Sequence, residues 1–329
     1  MQTRFLLRRM PRESLLKDAT SSHDLQGAKG VAQSAVICES DFPVQAIAPD
    51  AALAIITGIE GASYRPLGAG MVIDNDGHRT GSLSSGCLER DVALHAQAVL
   101  NDGKPRALRY GHGSPFVDIT LPCGGSLDIA VIPPPDQQLL DRTCKQLAAR
   151  EPARITLLPD GQLTDAPVPN GLTIHIRPQP RLVVFGKGPE AACFARISQQ
   201  AGYPVKLFSP DAETLAEAGF GSELTGIDWP ADLSLDPYTA VTLFFHDHDR
   251  EPALLAHALQ SPAFLIGAQG SLRAHERRCA ALKQLGIADE MIARLASPFG
   301  LIPSTRDPRT LAVSVLAQVL ERAAANQAP

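Results

Sequence analysis

The stretch GSLSSGCLERDVALHAQAVL, residues 81–100, places the thiol of Cys87 between a serine- and glycine-rich segment and a pattern typical of an amphipathic helix. Unpaired backbone N–H groups and the helix macrodipole stabilise a thiolate at a helix start, and so lower the pKa of the thiol. Cys123, followed by Gly124 and Gly125, has a similar setting in a predicted loop between two strands. Both cysteines are therefore candidate ligands or nucleophiles.

Structural explanations of these thiols stay open. A free cysteine is most often a small buried apolar residue, and we expect this of the remaining four, which are Cys38, Cys144, Cys193 and Cys279. Cys87 and Cys123 could also pack in turns, or form a reversible disulfide if their Cα atoms lie within about 7 Å of each other.

The composition of the chain limits the classes of function in which these residues can take part. A chain of 329 residues is too long for one ordinary core and predicts two domains. The hydrophobic content of 44% and the charged content of 20% are typical of a soluble globular protein, and the net charge of −5 disfavours nucleic acid as a partner. The scattered cysteines are expected of reduced thiols in the cytoplasm, and no apolar run predicts a membrane span.

The elements that position the two candidate thiols belong to the first of two predicted domains. We predict a flexible or loosely docked leader over residues 1–45, without a signal peptide, and a small α+β domain over residues 46–134. A connecting helix and linker follow over residues 135–180. Over residues 181–329 strands alternate with helices, which predicts a Rossmann-like domain with a doubly wound parallel sheet and an α/β fold class.

The second domain opens on a glycine turn. RLVVFGKGPEAACFARISQQAGYPVKLFSPD is predicted as a buried strand, a turn with Gly186 and Gly188, a helix and a second strand. Dinucleotide-binding proteins share this context, but Ala191 replaces the third glycine and Ser209 stands where a ribose-binding acid is expected, with Asp211 two residues later. NAD(P) binding is therefore disfavoured against another phosphate or nucleotide ligand, or a turn with no ligand.

Two polar stretches are further candidates. FFHDHDR carries His246, Asp247 and His248 where the third parallel strand should end, at the edge where such sheets bind ligands. These side chains could ligate a metal, contact a ligand or cap the following helix. Arg65, in the Gly/Pro-rich segment GASYRPLGAG, could bind phosphate or belong to a plain solvated loop.

Six stretches taken together resemble one family. GSLSSGCLERDV, LPCGGSLDIAV, VVFGKG, FFHDHD, IGAQGS and PFGLIPSTRDPRTLAVSVLAQVL occur in the order seen in the xanthine dehydrogenase accessory protein family (XdhC/CoxI type), over residues 51–323. The resemblance implies a protein that holds the sulfurated molybdenum cofactor and delivers it to a molybdenum hydroxylase such as xanthine dehydrogenase. It implies a chaperone rather than a turnover enzyme, with a cysteine desulfurase as a second partner and a homodimer as further expectations.

The resemblance also implies a set of contacts. The molybdenum cofactor, as molybdopterin or a dinucleotide form, carries a dithiolene-bound metal and a phosphate, so a binder needs N–H groups for the anion and ligands suited to a soft metal. The thiolates of Cys87 and Cys123 are the expected contacts to molybdenum or its sulfur. The expected cofactor-binding residues are Cys87, Cys123, Ser84, Ser85, Gly86, Gly124, Gly125, Arg65, Gly186, Gly188, His246, Asp247 and His248.

Two departures from the family pattern accompany this resemblance. The chain has one glycine directly before Cys87, where the family usually has two, and its stretch GLIPSTR, residues 300–306, has Ile302 at an otherwise acidic position. Two other functions are the alternatives: an NAD(P)-dependent oxidoreductase that uses the second domain, and a thiol-redox protein that cycles a disulfide between Cys87 and Cys123.

Overall fold

The computed structural model describes residues 33–326, with the exception of residues 85, 87, 115–123, 227, 247 and 248. The chain divides into two compact units, of which unit 1 extends to Arg177 and unit 2 begins at Pro178. The predicted contacts that lie outside the described residues are Ser85, Cys87, Cys123, Asp247 and His248. Every helix in the described part is too short or too polar to cross a membrane.

Unit 1 contains two sheets and two α-helices within its described residues. The elements are β1 (Gln33–Cys38), β2 (Ala52–Glu60), β3 (Gly70–Ile73), β4 (Arg79–Gly81), α1 (Glu89–Asp102), β5 (Arg106–Gly111), β6 (Ser126–Ile132), α2 (Gln137–Ala148), β7 (Ala153–Leu157), β8 (Leu163–Thr164) and β9 (Leu172–Arg177). The first sheet is antiparallel with the order β4-β3-β2-β6-β5, and the second has the order β1-β9-β7-β8.

The first five residues of β2, residues 52–56, are buried on both faces of the sheet, which explains why all five are apolar. Ala54 and Ile56 pack in the core beneath α1, whereas Leu53 and Ile55 pack in the core shared with α2 and the second sheet. Alternate side chains of a strand point to opposite faces, so β2 contributes to both cores. The first sheet thereby supports α1 and the loop that precedes this helix.

The second sheet differs from the predicted organisation of the chain. The sequence predicts residues 33–38 as part of a leader, yet they form β1 and pair in parallel with β9. Residues 135–177, which belong to the segment 135–180 predicted as a connecting helix and linker, supply α2 and three strands to the same core. Strands β7 and β9 pair with each other in antiparallel fashion. The parallel pairing of β9 with β1, which is distant in the chain, leaves no local sequence signal.

Unit 2 has a parallel sheet with helices between its strands. The elements are β10 (Arg181–Gly186), α3 (Pro189–Gln200), β11 (Val205–Ser209), α4 (Ala212–Ala218), β12 (Ser222–Glu223), β13 (Thr239–Phe244), α5 (Glu251–Leu259), β14 (Leu265–Ala268), α6 (Leu272–Gln284), α7 (Asp289–Ile292), β15 (Leu295–Ala296) and α8 (Pro308–Asn326). Its order, β12-β11-β10-β13-β14-β15, confirms the predicted Rossmann-like fold. Strand succession reverses between β10 and β13, so ligands of such a sheet are expected at the carboxyl ends of these two strands.

A buried ion pair joins two helices of unit 2. Arg278 of α6 donates to the carboxylate of Glu251, the first residue of α5, at 2.6 Å, and the two side chains are 3% and 0% exposed. Arg278 also donates to the carbonyl oxygen of Gln269, which follows β14. The guanidinium therefore ties α5, α6 and the carboxyl end of β14 together.

Candidate functional site

The loop that carries the first candidate cysteine is organised around one carboxylate. We call residues 82–88 the serine loop. Glu89, the first residue of α1, is 6% exposed and directs both carboxylate oxygens back into this loop. Oε1 accepts hydrogen bonds from the Ser84 N–H at 2.7 Å and the Ser82 hydroxyl at 3.1 Å, while Oε2 accepts from the Ser84 hydroxyl at 2.8 Å. Among the described residues, the N–H groups of Leu83 and Leu88 also donate to this carboxylate, each at 3.3 Å.

This network keeps Glu89 ionised and leaves a glycine on the outside of the loop. Burial raises the pKa of Glu89, but the hydrogen bonds from Ser84 and its neighbours outweigh burial, so the pKa lies below that of an ordinary glutamate. The N–H of Ser84, an expected anion contact, is therefore already paired with a carboxylate. Gly86 is exposed, has φ of +99°, and would have no atom within 4 Å of an added Cβ, so it presents bare backbone.

Asp91, in the same helical turn, has a different role. Its carboxylate accepts a hydrogen bond from the hydroxyl of Tyr110 on β5 at 2.7 Å and lies 3.6 Å from Nε2 of His95. Burial raises the pKa of Asp91, and the hydrogen bonds from His95 and Tyr110 lower it by more, so the carboxylate stays ionised. Asp91 therefore ties α1 to the sheet, whereas Glu89 ties α1 to the serine loop.

The second predicted loop, at Gly124 and Gly125, lies against the end of β2. A Cβ on Gly125 would stand 2.5 Å from the carbonyl oxygen of Glu60, so this close approach requires glycine. Gly124 has φ of +69°, and an added Cβ would meet nothing within 4 Å. Gly124 and Gly86 therefore share one property, an uncovered backbone directly next to a candidate cysteine in the sequence.

An arginine–carboxylate network borders the second loop. Arg109 Nη1 donates to both carboxylate oxygens of Asp128, at 2.9 and 3.0 Å, and Nη2 donates to Glu60 at 2.8 Å and to the Ser126 hydroxyl at 3.1 Å. Hydrogen bonds from Arg109 and Ser126 lower the pKa of Glu60. Asp128 and Glu60 line an open cavity of ≈ 300 Å³. With two carboxylates against one guanidinium, this network does not offer a positive charge to a phosphate.

Arg65, the expected anion contact of unit 1, shares its charge with an acid. Its Nη1 lies 3.3 Å from Oδ1 of Asp41, and its side chain remains 42% exposed. The Ser63 hydroxyl donates to the carbonyl oxygen of Arg65 at 2.7 Å and fixes the local backbone. An anion could therefore reach the guanidinium from solvent, in competition with Asp41.

One group of described residues has the spacing of metal ligands, and it has a structural explanation. Asp74, Asp76 and His78 lie in the turn between β3 and β4. Asp74 Oδ1 accepts hydrogen bonds from the N–H groups of Asp76 and His78 at 2.9 and 2.8 Å, and Oδ2 lies 3.0 Å from His78 Nδ1. These contacts close the hairpin turn, which is the ordinary role of an aspartate at this position.

The glycine turn of unit 2 is closed by hydrogen bonds within the unit. The N–H of Gly188 donates to the Thr214 hydroxyl at 2.8 Å, and this hydroxyl donates to Oδ2 of Asp211 at 2.6 Å. The two hydrogen bonds from Thr214 lower the pKa of Asp211, which caps α4. Gly186 packs against Ala191, and a Cβ added to Gly186 would lie 2.7 Å from the Cβ of Ala191. In dinucleotide-binding proteins the second glycine lets the backbone approach the pyrophosphate, but here the Gly188 N–H is already paired.

A second obstacle to phosphate lies at the start of α3. Glu190, the second residue of this helix, is 14% exposed, and its Oε2 lies 3.3 Å from Nε2 of His246, which is 68% exposed. Because β13 ends at Phe244, His246 does not continue the strand. Ser209 is fully buried and accepts a hydrogen bond from the N–H of Asp211 at 3.2 Å, so Ser209 is not available to a ribose. The charge of Glu190 occupies the helix start at which phosphates usually bind.

The four described cysteines are free thiols of intermediate burial, and so are less buried than expected. Burial raises the pKa of the thiols of Cys38, Cys144 and Cys193. Cys279 Sγ lies 3.5 Å from Nε2 of His275 within α6. Cys193 packs against the core beneath α3, which makes it a suitable control for experiments on the candidate thiols.

Sequence reasoning missed three residues that organise these loops: Glu89, Arg109 and Thr214. An acid in the first turn of a helix is usual, so nothing marked Glu89 as buried. Arg109 lies within an ordinary β-strand pattern. Thr214 could have been found, because Asp211 three residues before it is a strong N-cap signal.

The two units define a class in which an α+β unit with a serine- and glycine-rich thiol loop precedes a Rossmann unit with a closed phosphate turn. Family models match both parts: the model described as XdhC and CoxI family matches residues 48–111, and the XdhC Rossmann domain model matches residues 182–319. The chain belongs to the XdhC and CoxI family.

Relatives extend this similarity over most of the chain. The molybdenum cofactor insertion chaperone PaoD of Escherichia coli (strain K12) is 34% identical over 290 residues, which cover 84% of this chain and 86% of PaoD. A probable xanthine dehydrogenase subunit of Bacillus subtilis (strain 168) is 23% identical over 322 residues, which cover 83% and 93% of the two chains. A crystal structure of a xanthine dehydrogenase from Bacillus halodurans shares the fold, with a TM-score of 0.70 and 22% identity over 86% of this chain and 94% of that one.

Proposed function

We propose that this protein binds the molybdenum cofactor as cargo and delivers it to a molybdenum hydroxylase of the xanthine dehydrogenase type. The observation that carries the proposal is the 34% identity to the insertion chaperone PaoD over 84% of this chain. The name of the Bacillus subtilis relative supports the same class of recipient enzyme. When bound, the cargo supplies the molybdenum centre for the recipient, and the residues of this chain hold it.

The described loops fit such a cargo in their shape and chemistry. Gly86 and Gly124 present bare backbone that a pterin could approach without meeting a side chain. Each glycine is next to a cysteine in the sequence, and a thiolate is a suitable contact for a soft metal centre or its sulfur. We propose that Cys87 and Cys123 contact the metal end of the cargo.

Other groups are proposed to hold the phosphate end. The Ser84 N–H is paired with Glu89, whereas Arg65 keeps 42% of its side chain exposed and carries a positive charge. We therefore place the phosphate contact at Arg65 within unit 1. Unit 2 is proposed not to act as an NAD(P)-dependent oxidoreductase, because the N–H of Gly188 is paired and Glu190 brings a negative charge to the turn.

Finer aspects of this function concern partners and location. We propose a cysteine desulfurase as the source of the sulfur on the cargo, a homodimer as the assembly, and the cytoplasm as the location. Copurification with a tagged desulfurase tests the first. Light scattering of the purified protein tests the second, and cell fractionation tests the third.

The central experiment uses single thiol variants. Wild type, Cys87→Ala, Cys123→Ala and Cys193→Ala are loaded with cofactor released from a molybdenum hydroxylase and separated from the excess by gel filtration. Retained pterin and molybdenum are then assayed, together with activation of a cofactor-free hydroxylase. We expect loss of retention and activation in the first two variants and wild-type behaviour in Cys193→Ala. Wild-type behaviour in all three variants would make the thiols structural, and a wild-type protein that retains no cofactor would refute the proposed function.

A further inference from the structure

Glu89 is an unusual acid for the start of a helix. An acidic residue in the first turn normally faces solvent and stabilises the helix through its interaction with the helix dipole. Glu89 is instead 6% exposed, and a buried carboxylate is unfavourable unless hydrogen bonds satisfy it. The neighbouring acid Asp91 binds the sheet through Tyr110, so α1 has another tie to the fold.

The strongest donors to Glu89 lie in one segment. The Ser84 N–H at 2.7 Å, the Ser84 hydroxyl at 2.8 Å and the Ser82 hydroxyl at 3.1 Å come from the serine loop, and none of them belongs to a strand or a helix. Leu83 and Leu88 are buried near the two ends of this loop, and the residues between them are small. Side-chain packing therefore anchors Leu83 and Leu88, while the buried charge of Glu89 fixes the position of Ser84 between them.

The hydrogen bonds also distinguish an inner side of the loop, which faces Glu89, from an outer side. Because the N–H of Ser84 points at Glu89, the inner side of the loop is closed to an anion. Gly86, exposed and with φ of +99°, forms the outer side, and its N–H donates to the Ser84 hydroxyl at 3.2 Å. Ser84 therefore connects the buried carboxylate to the exposed backbone of Gly86.

We propose that Glu89 is a positioning residue for cargo retention, which holds the serine loop so that the backbone of Gly86 faces the cargo. This proposal rests on the proposed function. Glu89 acts through Ser84 and Gly86 and does not touch the cargo itself. A glutamine cannot accept from both sides of this network, because its amide nitrogen is a donor and would oppose one of the N–H donors.

The test compares Glu89→Gln and Glu89→Asp with Asp91→Asn in the full-length protein. Asp91→Asn removes a negative charge from the same helical turn, at the carboxylate that accepts from the Tyr110 hydroxyl, while it leaves the serine loop intact. Each variant is loaded with cofactor released from a molybdenum hydroxylase. The measurements are the thermal stability of the variant, the rate at which the cofactor dissociates from it, and hydrogen exchange of the peptide that spans residues 82–88.

We expect Glu89→Gln to increase the dissociation rate and the exchange of this peptide by about tenfold or more, while Asp91→Asn changes only stability. Aspartate serves a helix dipole as well as glutamate but is too short to reach the same donors, so Glu89→Asp should lose retention as well. Full retention in Glu89→Asp, or equal retention in Glu89→Gln and wild type, overturns the proposal. If wild type retains no cofactor, the proposed function falls, and unchanged exchange in Glu89→Gln separately excludes a role for Glu89 in holding the loop.

Discussion

Opening the glycine turn of unit 2 should create dinucleotide binding, which we expect the wild-type protein not to show. Two contacts close the turn: the N–H of Gly188 donates to the Thr214 hydroxyl, and Glu190 brings a carboxylate to the start of α3. The double variant Glu190→Gln, Thr214→Ala removes the charge and frees the N–H. Both changes remove atoms or charge without adding volume, so the Rossmann sheet should remain intact.

The electrostatic part of this effect can be worked out. A carboxylate about 5 Å from one charge of a pyrophosphate, at an effective dielectric constant of about 20, is unfavourable by about 3 kcal/mol, or roughly a hundredfold in Kd. Glu190 is 14% exposed, which makes this intermediate dielectric constant appropriate. The freed N–H of Gly188 can add a hydrogen bond to a charged group, worth about 1.5–3 kcal/mol.

Isothermal titration with NAD+, NADH, NADP+ and NADPH measures the outcome. We expect no micromolar Kd in wild type and at least a tenfold gain in the double variant, since either change alone leaves one obstacle in place. Glu213→Gln, which removes an exposed charge from the first turn of α4, is the control and should bind like wild type. Micromolar binding by wild type would refute the reasoning and favour the oxidoreductase function.

Three further results are expected. Glu251→Gln should lower the free energy of unfolding by about 3–5 kcal/mol in denaturant titrations, because it leaves the charge of Arg278 buried without its partner, and a loss under about 1 kcal/mol would contradict this. Burial raises the pKa of Asp91, and hydrogen bonds, with Tyr110 among the donors, lower it by more, so the ionised carboxylate stabilises the fold. Asp91→Asn should therefore destabilise the protein at pH 7 and by progressively less as pH falls below about 4. A difference in stability that does not change with pH would exclude the ionic contribution. Gly125→Ala should lower stability by about 1–3 kcal/mol, because its Cβ would lie 2.5 Å from a backbone carbonyl oxygen, and an unchanged midpoint of thermal unfolding would show that the loop moves freely.

The local patterns predicted most of the elements of the fold. Strands, turns and helices of unit 2 follow from alternation and from the glycine turn, because each βαβ step is encoded within a short stretch. The pairing of β1 with β9 could not be predicted. The hydrogen bonds between these strands join backbone atoms, and the side chains of one strand do not specify which distant strand will be its partner.

The local backbone of the candidate loops was easier to predict than their electrostatics. Gly86 was expected in a glycine-rich segment before a helix and Gly124 in a loop between strands, and the structure gives both a positive φ and open space. Ser84 was expected to offer its N–H to an anion, but the neighbouring Glu89 accepts that hydrogen bond. A carboxylate that turns back into its own loop looks, in sequence, the same as one that faces solvent.

The parallel pairing of β1 with β9 has a consequence for synthesis on the ribosome. Strand β1 is made near the beginning of unit 1, while its partner β9 is the last strand of that unit. The backbone groups of β1 that bond to β9 must therefore wait until the first sheet, α2 and β7 have all emerged. During that interval the nascent chain exposes an unpaired strand edge, which is the kind of surface that aggregates or recruits general folding factors. Translation speed across α2 and β7 should thus influence how much of the newly made protein reaches its folded state.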